Sequence, residues 1–199
     1  MKKLLLHVCC APCACFPAES LIENYNVSLF YYNPNISPLT EYERRRDELV
    51  RYADNTRFLL IIAERDDRSW IHEVKDVAIM GERSERCWIC YRIRLEKTFQ
   101  YAAEHHFDIV GTVLSVSPHK DSSHIREIGI GLSKQYHIDY LDSDFKKNDG
   151  YKKSCEKSNN YGFYRQSYCG CVYSMLERKE NSGWRRKVRE YKMNTGLFK

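Results

Sequence analysis

The 199-residue chain is 43% hydrophobic and 30% charged, enough apolar material for the core of one domain, which excludes collagen-like and disordered classes. Its net charge of +5 is unevenly placed: residues 176–199 hold eight basic and three acidic side chains, and residues 1–175 balance. That distribution excludes a protein coated with charge for non-specific nucleic-acid binding and points to an anionic partner met at one end.

The opening MKKLLLHVCC mimics a signal peptide, but His7 interrupts it after three leucines, too soon for the apolar region of a secretory leader. Residues 3–8 are therefore expected to be a first strand. No run of 18 apolar residues follows, so no membrane span is expected and the location is expected to be cytoplasmic. In a reducing compartment, clustered cysteines bind metal or do redox chemistry more often than they form structural bridges.

Pro17 to Asn24 reads as a helix with proline in its first turn, and residues 27–32 (VSLFYY) as a second strand. Asn33 to Pro38 is a turn-forming loop, after which Thr40 and Glu43 resemble a capping box opening a charged helix over 41–54. Residues 58–63 (FLLIIA) predict a third strand buried on both faces. A charged segment, 64–86, leads to a helix beginning near Cys87; residues 108–116 predict a fourth strand, 123–136 a helix, and Tyr140-Leu141 a short last strand. This alternation predicts an α/β fold, a parallel sheet with helices on both faces. Ligands of such folds sit at the carboxyl ends of strands near a switch in strand order, and the first cysteine group begins where strand one ends. Residues 1–180 are expected to be a single metal-binding catalytic domain, with 181–199 a basic appendage.

Eight of the nine cysteines fall in three groups: Cys9, Cys10, Cys13 and Cys15; Cys87 and Cys90; Cys169 and Cys171. Each group lies at a strand-to-helix loop or a helix start, where backbone N–H groups and the helix dipole favour anionic sulfur. An isolated Cys-x-x-Cys could be a thioredoxin-like dithiol or half a zinc knuckle, and an adjacent Cys-Cys is often buried packing. Three groups together favour metal, and eight thiols exceed what one tetrahedral zinc needs, which favours iron–sulfur over zinc. Cys155 stands alone and reads as a buried or incidental thiol.

No glycine-rich phosphate loop is present, so bound nicotinamide or ATP is not supported, and electrons are expected from outside. The scattered histidines read as surface or packing residues. Asp144-Phe145-Lys146-Lys147 could bring cations to phosphates. Tyr161, Tyr164, Arg165 and Tyr168 interleave rings and charge before Cys169, a pattern that stacks a base or covers a cluster.

HVCCAPC (7–13), YNPNI (32–36), RCWICYRIRL (86–95), SPHK (117–120), DFKK (144–147), GY (150–151) and YRQSYCGC (164–171) together resemble QueH, the non-cobalamin epoxyqueuosine reductases, over about residues 3–176. The resemblance implies removal of the epoxide oxygen of epoxyqueuosine at the tRNA wobble position, leaving the cyclopentene diol of queuosine, as the last step of queuosine biosynthesis. It implies a 4Fe-4S cluster beside a single iron, with Cys9, Cys10, Cys87, Cys90, Cys169 and Cys171 as ligands and Cys13 as a ligand to the second iron. It also implies a tRNA partner and an external one-electron donor, with no cobalamin bound. Tyr168, Tyr164 and Asp144 are candidates for the acid that protonates the departing oxygen; Lys146, Lys147 and Arg165 are candidates for anticodon phosphates.

Two rivals set the contrast. A tRNA sulfur-transfer enzyme of the ATP-pyrophosphatase type needs a glycine- and serine-rich loop after strand one, where this chain has CCAPCAC. A zinc-stabilised RNA-binding module accounts for the basic tail but leaves about half the thiols unused.

Overall fold

In a computed structural model, which describes residues 1–179, the apolar runs form five parallel strands: β1 (Lys2–Val8), β2 (Tyr25–Tyr31), β3 (Leu59–Ile62), β4 (Ile109–Thr112) and β5 (Asp139–Tyr140). Their order in the sheet is β3-β2-β1-β4-β5. The chain winds outward from β1 to β3, returns to the other side of β1 and winds out again, so the order reverses between β1 and β4. There Leu6 pairs with Gly111 and His7 with Thr112.

β1 is central, and Leu4, Leu5, Leu6 and Val8 are wholly buried because helices cover both of its faces. One layer is α1 (Ala11–Leu21), α2 (Leu39–Thr56) and α6 (Gly150–Asn160); the other packs α4 (Glu85–Glu104) against α3 (Asp67–Val74) and α5 (Ser122–Tyr136). α7 (Val172–Lys179) ends the described segment. Among the described residues no helix is long and apolar enough to cross a membrane.

Several boundaries differ from the sequence expectation for identifiable reasons. α1 begins at Ala11, directly after the first cysteines, with Pro12 in its first turn; Pro17 sits inside it, leaving the Cys13 carbonyl without its usual helical partner. Thr40 does not cap α2, since the helix already begins at Leu39 behind Pro38, which has no capping side chain. β3 is an edge strand, half covered, with Leu59 and Ile62 exposed, so the expectation of burial on both faces fails there. β4 stops at Thr112, whose hydroxyl accepts from Leu114 N–H at 3.2 Å and turns Val113–Val116 into a 3-10 segment. The predicted appendage lies outside the described residues.

α6 opens against the loop before it so closely that a Cβ on Gly150 would stand 1.9 Å from the Phe145 carbonyl oxygen. Backbone cannot yield as a flexible side chain does. Gly150→Ala is expected to lower stability by about 1–3 kcal/mol, read from the midpoint of chemical denaturation; an unchanged midpoint would show that the loop moves freely.

Candidate metal centre

The carboxyl end of β1 runs straight into the first sulfur group. Cys10 is extended (φ −174°, ψ 163°) at the start of α1, and Cys13 follows in the first turn, so the chain folds three sulfurs onto one point. Those of Cys9, Cys10 and Cys13 all lie within 4.8 Å of one another, Cys9 and Cys10 at 3.8 Å. Hydrogen bonds from Cys10 and then Cys13 hold the Cys9 thiol well below its ordinary value against the effect of burial, with Lys120 and Arg94 adding positive potential. Cys15, on the next turn, is a core thiol pointed at the Pro12 carbonyl at 3.6 Å and lies apart from the three.

A second set forms where α4 meets α7. Cys87 and Cys90 stand one turn apart at the start of α4, and Cys171 precedes α7, its sulfur accepting from Ser174 N–H at 3.3 Å. Cys90 and Cys171 are buried with Trp70 and Val74. Burial pushes the Cys87 thiol up to about 11, with the nearby Cys169 adding to it. Burial likewise raises Cys90 and Cys171, each also sensing Cys169. Cys13, Cys87 and Cys169 line one partly open cavity of about 200 Å³, so the two sets look into the same space.

The Cys-Gly-Cys segment carries little regular structure and is held from outside. Arg45 of α2 donates to the carbonyls of Cys169 (3.1 Å) and Tyr168 (3.4 Å); Ser37 N–H donates to Gly170 O at 2.8 Å. Gly170 has φ +126°, and a Cβ there would meet Arg45 Nη1 at 3.0 Å, so glycine is required on both counts.

Four cations are buried around these sulfurs: Arg45, Arg86 and Arg94 at 1% exposure and Lys120 at 8%. Arg45 pairs with Glu41 and Arg86 with Glu177. Arg94 donates to Asn33 Oδ1 at 2.6 Å, and among the described residues neither it nor Lys120 has a carboxylate partner. What raises the proton affinity of each, against burial, is cysteine: Cys90, Cys9 and Cys169 for Arg94; Cys169, Cys9 and Cys13 for Lys120. Unpaired buried charge is costly, so the arrangement requires negative sulfur. The buried donors point the same way: among the described residues Arg86 Nε and Nη2, Arg94 Nε and Trp70 Nε1 have no partner, while Trp70 and Arg94 both approach the Cys90 sulfur. Orphaned donors around thiolates are the setting of a sulfur-rich anionic cofactor.

The other predicted residues are dispersed. Tyr168 lines the cavity, but its hydroxyl donates to the Ser37 carbonyl at 2.6 Å, and burial pushes it up to about 12. Tyr164 donates to Glu41 at 3.3 Å beneath the Arg44 guanidinium and lies outside the cavity lining, as does Asp144, which accepts from Ser122 and from Lys146 N–H. Arg165 is exposed on the cavity lining beside Cys155 and Tyr151; Lys146 donates to the Lys120 carbonyl at 3.2 Å; Lys147 is exposed outside it. Cys155 also lines the cavity, which its isolation in sequence did not foretell. His7 is a packing residue as expected: Nε2–H donates to Tyr32 O and Nδ1 accepts from Thr112, while burial and then Arg94 lower it to about 3.

Lys120, Arg94 and Arg45 are the buried cations of the candidate site that sequence reasoning left out. For Arg94 a signal existed: Arg86, Cys90 and Arg94 repeat at four-residue spacing, one face of α4, together with the cysteine.

Residues 4–177 match the family described as Epoxyqueuosine reductase QueH. Proteins bearing that name include one from Streptococcus pyogenes, 39% identical over 178 residues, covering 86% of this chain and 69% of that one. Another, from Thermotoga maritima, is 37% identical, covering 90% and 94%; a third, from Haemophilus influenzae, is 35% identical, covering 98% and 79%. Among solved structures, the U34-tRNA thiolase NcsA from Methanococcus maripaludis with its [4Fe-4S] cluster superposes with a TM-score of 0.58 at 14% identity, over 97% of this chain and 66% of that one. That likeness shows the fold.

Proposed function

The chain belongs to the QueH family of epoxyqueuosine reductases, and we propose that it performs their reduction with two sulfur-bound iron sites facing one cavity. It is an oxidoreductase that converts epoxyqueuosine to queuosine. The reaction takes two electrons and two protons, breaks both C–O bonds of the epoxide and releases the oxygen as water. The substrate is the modified wobble nucleoside in tRNA, the electrons come from an external one-electron donor, and the work is done in the cytoplasm.

The observation that supports the division is sulfur spacing. Four thiolates around one tetrahedral ion at about 2.3 Å stand roughly 3.8 Å apart, and the Cys9–Cys10 separation is 3.8 Å. We assign Cys9, Cys10 and Cys13 to the single iron, leaving a fourth position open. Cys87, Cys90, Cys169 and Cys171 are more widely set, as the separate corners of a cubane require, and we assign them to the 4Fe-4S cluster. When bound, the cluster supplies electrons singly and the lone iron supplies a Lewis acid.

The protein's own residues do the rest. Arg94 and Lys120 lie between the two sulfur sets, each sensing Cys9 and Cys169, and balance their negative charge. Lys120 lines the cavity, so its Nζ can hydrogen-bond the departing oxygen. Tyr168 supplies a wall of the cavity, and its hydroxyl stays with Ser37. Lys146 and Arg165 flank the site and suit the anticodon phosphates; Lys147 extends that charge outward.

Anaerobic, iron-reconstituted protein given dithionite and no cobalamin should convert epoxyqueuosine in tRNA to queuosine, read by nucleoside mass analysis. Equal turnover by a zinc-only preparation, or product only with cobalamin, would defeat the assignment. The tail gives a separate expectation from charge alone. A chain ending near residue 180 should keep its visible absorbance but bind tRNA more weakly, with a shallower slope of log affinity against log salt. Identical affinity and slope would remove the tail from the tRNA contact.

A further inference from the structure

Among the described residues, the lining of the cavity leaves two buried polar atoms without a partner, Ser154 Oγ and Gln166 Oε1. Ser154 is 3% exposed, on α6. Gln166 is tied to the sulfur site, its Nε2 donating to Cys10 Sγ at 3.2 Å. A metal-bound thiolate can only accept, so the amide nitrogen belongs on the sulfur side and the carbonyl oxygen is left over. Buried acceptors are seldom left unpaired in a folded protein, and a ligand that donates would satisfy this one.

The cations that line this cavity, Lys120, Arg165 and Arg178, donate only and cannot recognise a donor, and the Glu82 carboxylate beside them already accepts from the Ser174 hydroxyl. Gln166 Oε1 is a neutral acceptor, and the Ser154 hydroxyl can give or take. That pair suits hydroxyl groups on a small ring. Pro12, Tyr91 and Val116 line the same cavity and offer apolar surface for the ring's carbons.

We propose that Gln166 and Ser154 form a diol-binding wall, which holds the hydroxylated ring of the substrate with its reacting carbons toward the Cys9–Cys10–Cys13 site. Gln166 Oε1 accepts from one ring hydroxyl, and Ser154 Oγ bonds the other. Because Gln166 also grips Cys10, the diol is positioned relative to that sulfur by a single side chain. This assignment rests on the cavity being the epoxide-reducing site. Both residues are positioning residues; neither is asked to move a proton.

The test is binding without turnover. The affinity of iron-reconstituted protein is measured for tRNA carrying queuosine, which retains the diol, and for the same tRNA carrying guanine at that position. Wild type should prefer the queuosine form, and Ser154→Ala and Gln166→Met should each cut the preference about tenfold, leaving affinity for the guanine form unchanged. Ser154→Ala removes an unpaired hydroxyl, so its denaturation midpoint should not fall; a merely structural serine would lower it. Should Gln166→Met lose iron absorbance, Ser154→Ala alone decides. An unchanged preference in that variant, or an equal loss for both tRNAs, overturns the diol wall. If wild type binds both tRNAs alike, it is the placement of the substrate ring in this cavity that fails, and the wall with it.

Discussion

Cys13→Ala is expected to lower single-turnover reduction of epoxyqueuosine tRNA on the order of 100-fold while most of the visible cluster absorbance survives. The reason is the separation of the two sulfur sets. Cys13 is packed with Cys9 and Cys10 within 4.8 Å, whereas Cys90 and Cys171 lie in another packed group with Trp70. A cluster held by four cysteines can deliver electrons, but a site with an open position is needed to polarise the epoxide oxygen. Absorbance and turnover falling in parallel would mean that Cys13 serves the cluster, and the division of cysteines between two iron sites would be lost.

Cys90→Ala and Cys169→Ala should produce the opposite pattern, losing most of the dithionite-sensitive absorbance near 400 nm together with activity. Cys90 is buried under Trp70 and next to Arg94, so no solvent ligand can easily replace its sulfur. Cys155→Ala is the control: it lines the cavity but stands outside both sets, so the spectrum should persist. A bleached Cys155→Ala protein beside a coloured Cys90→Ala protein would reverse the ligand assignment.

The parallel sheet was legible because continuous apolar runs such as LLL at 4–6 have no other use in a chain this polar. Cysteine grouping pointed to the candidate metal centre for a similar reason, since spacing survives in sequence. What spacing does not carry is burial. α6, with the polar sequence GYKKSCEKSNN, gave no apolar stripe, yet it packs on α1 and delivers Ser154 and Cys155 to the cavity. Lys120 looks like one more surface lysine until the fold closes over it. Fold alone does not choose the chemistry either: a tRNA thiolase shares this architecture at 14% identity.

The second sulfur set draws on segments far apart in the chain: Cys90 and Cys169 are joined by a loop of roughly 80 residues, comparable to a long disulfide loop, for which closure is worth about 4–5 kcal/mol in the chain-entropy view. Metal bound across them would therefore act as a covalent staple between the first half of the molecule and its last described helix. The 163–171 segment, short of regular structure and fastened by Arg45 and Ser37, is the part with most to lose when the staple is absent. It also carries the last of the assigned cysteines to be synthesised. Were Cys169 and Cys171 to hold the cluster, its assembly would wait until Cys171 has left the ribosome, which would make metal insertion a late event in the making of the chain.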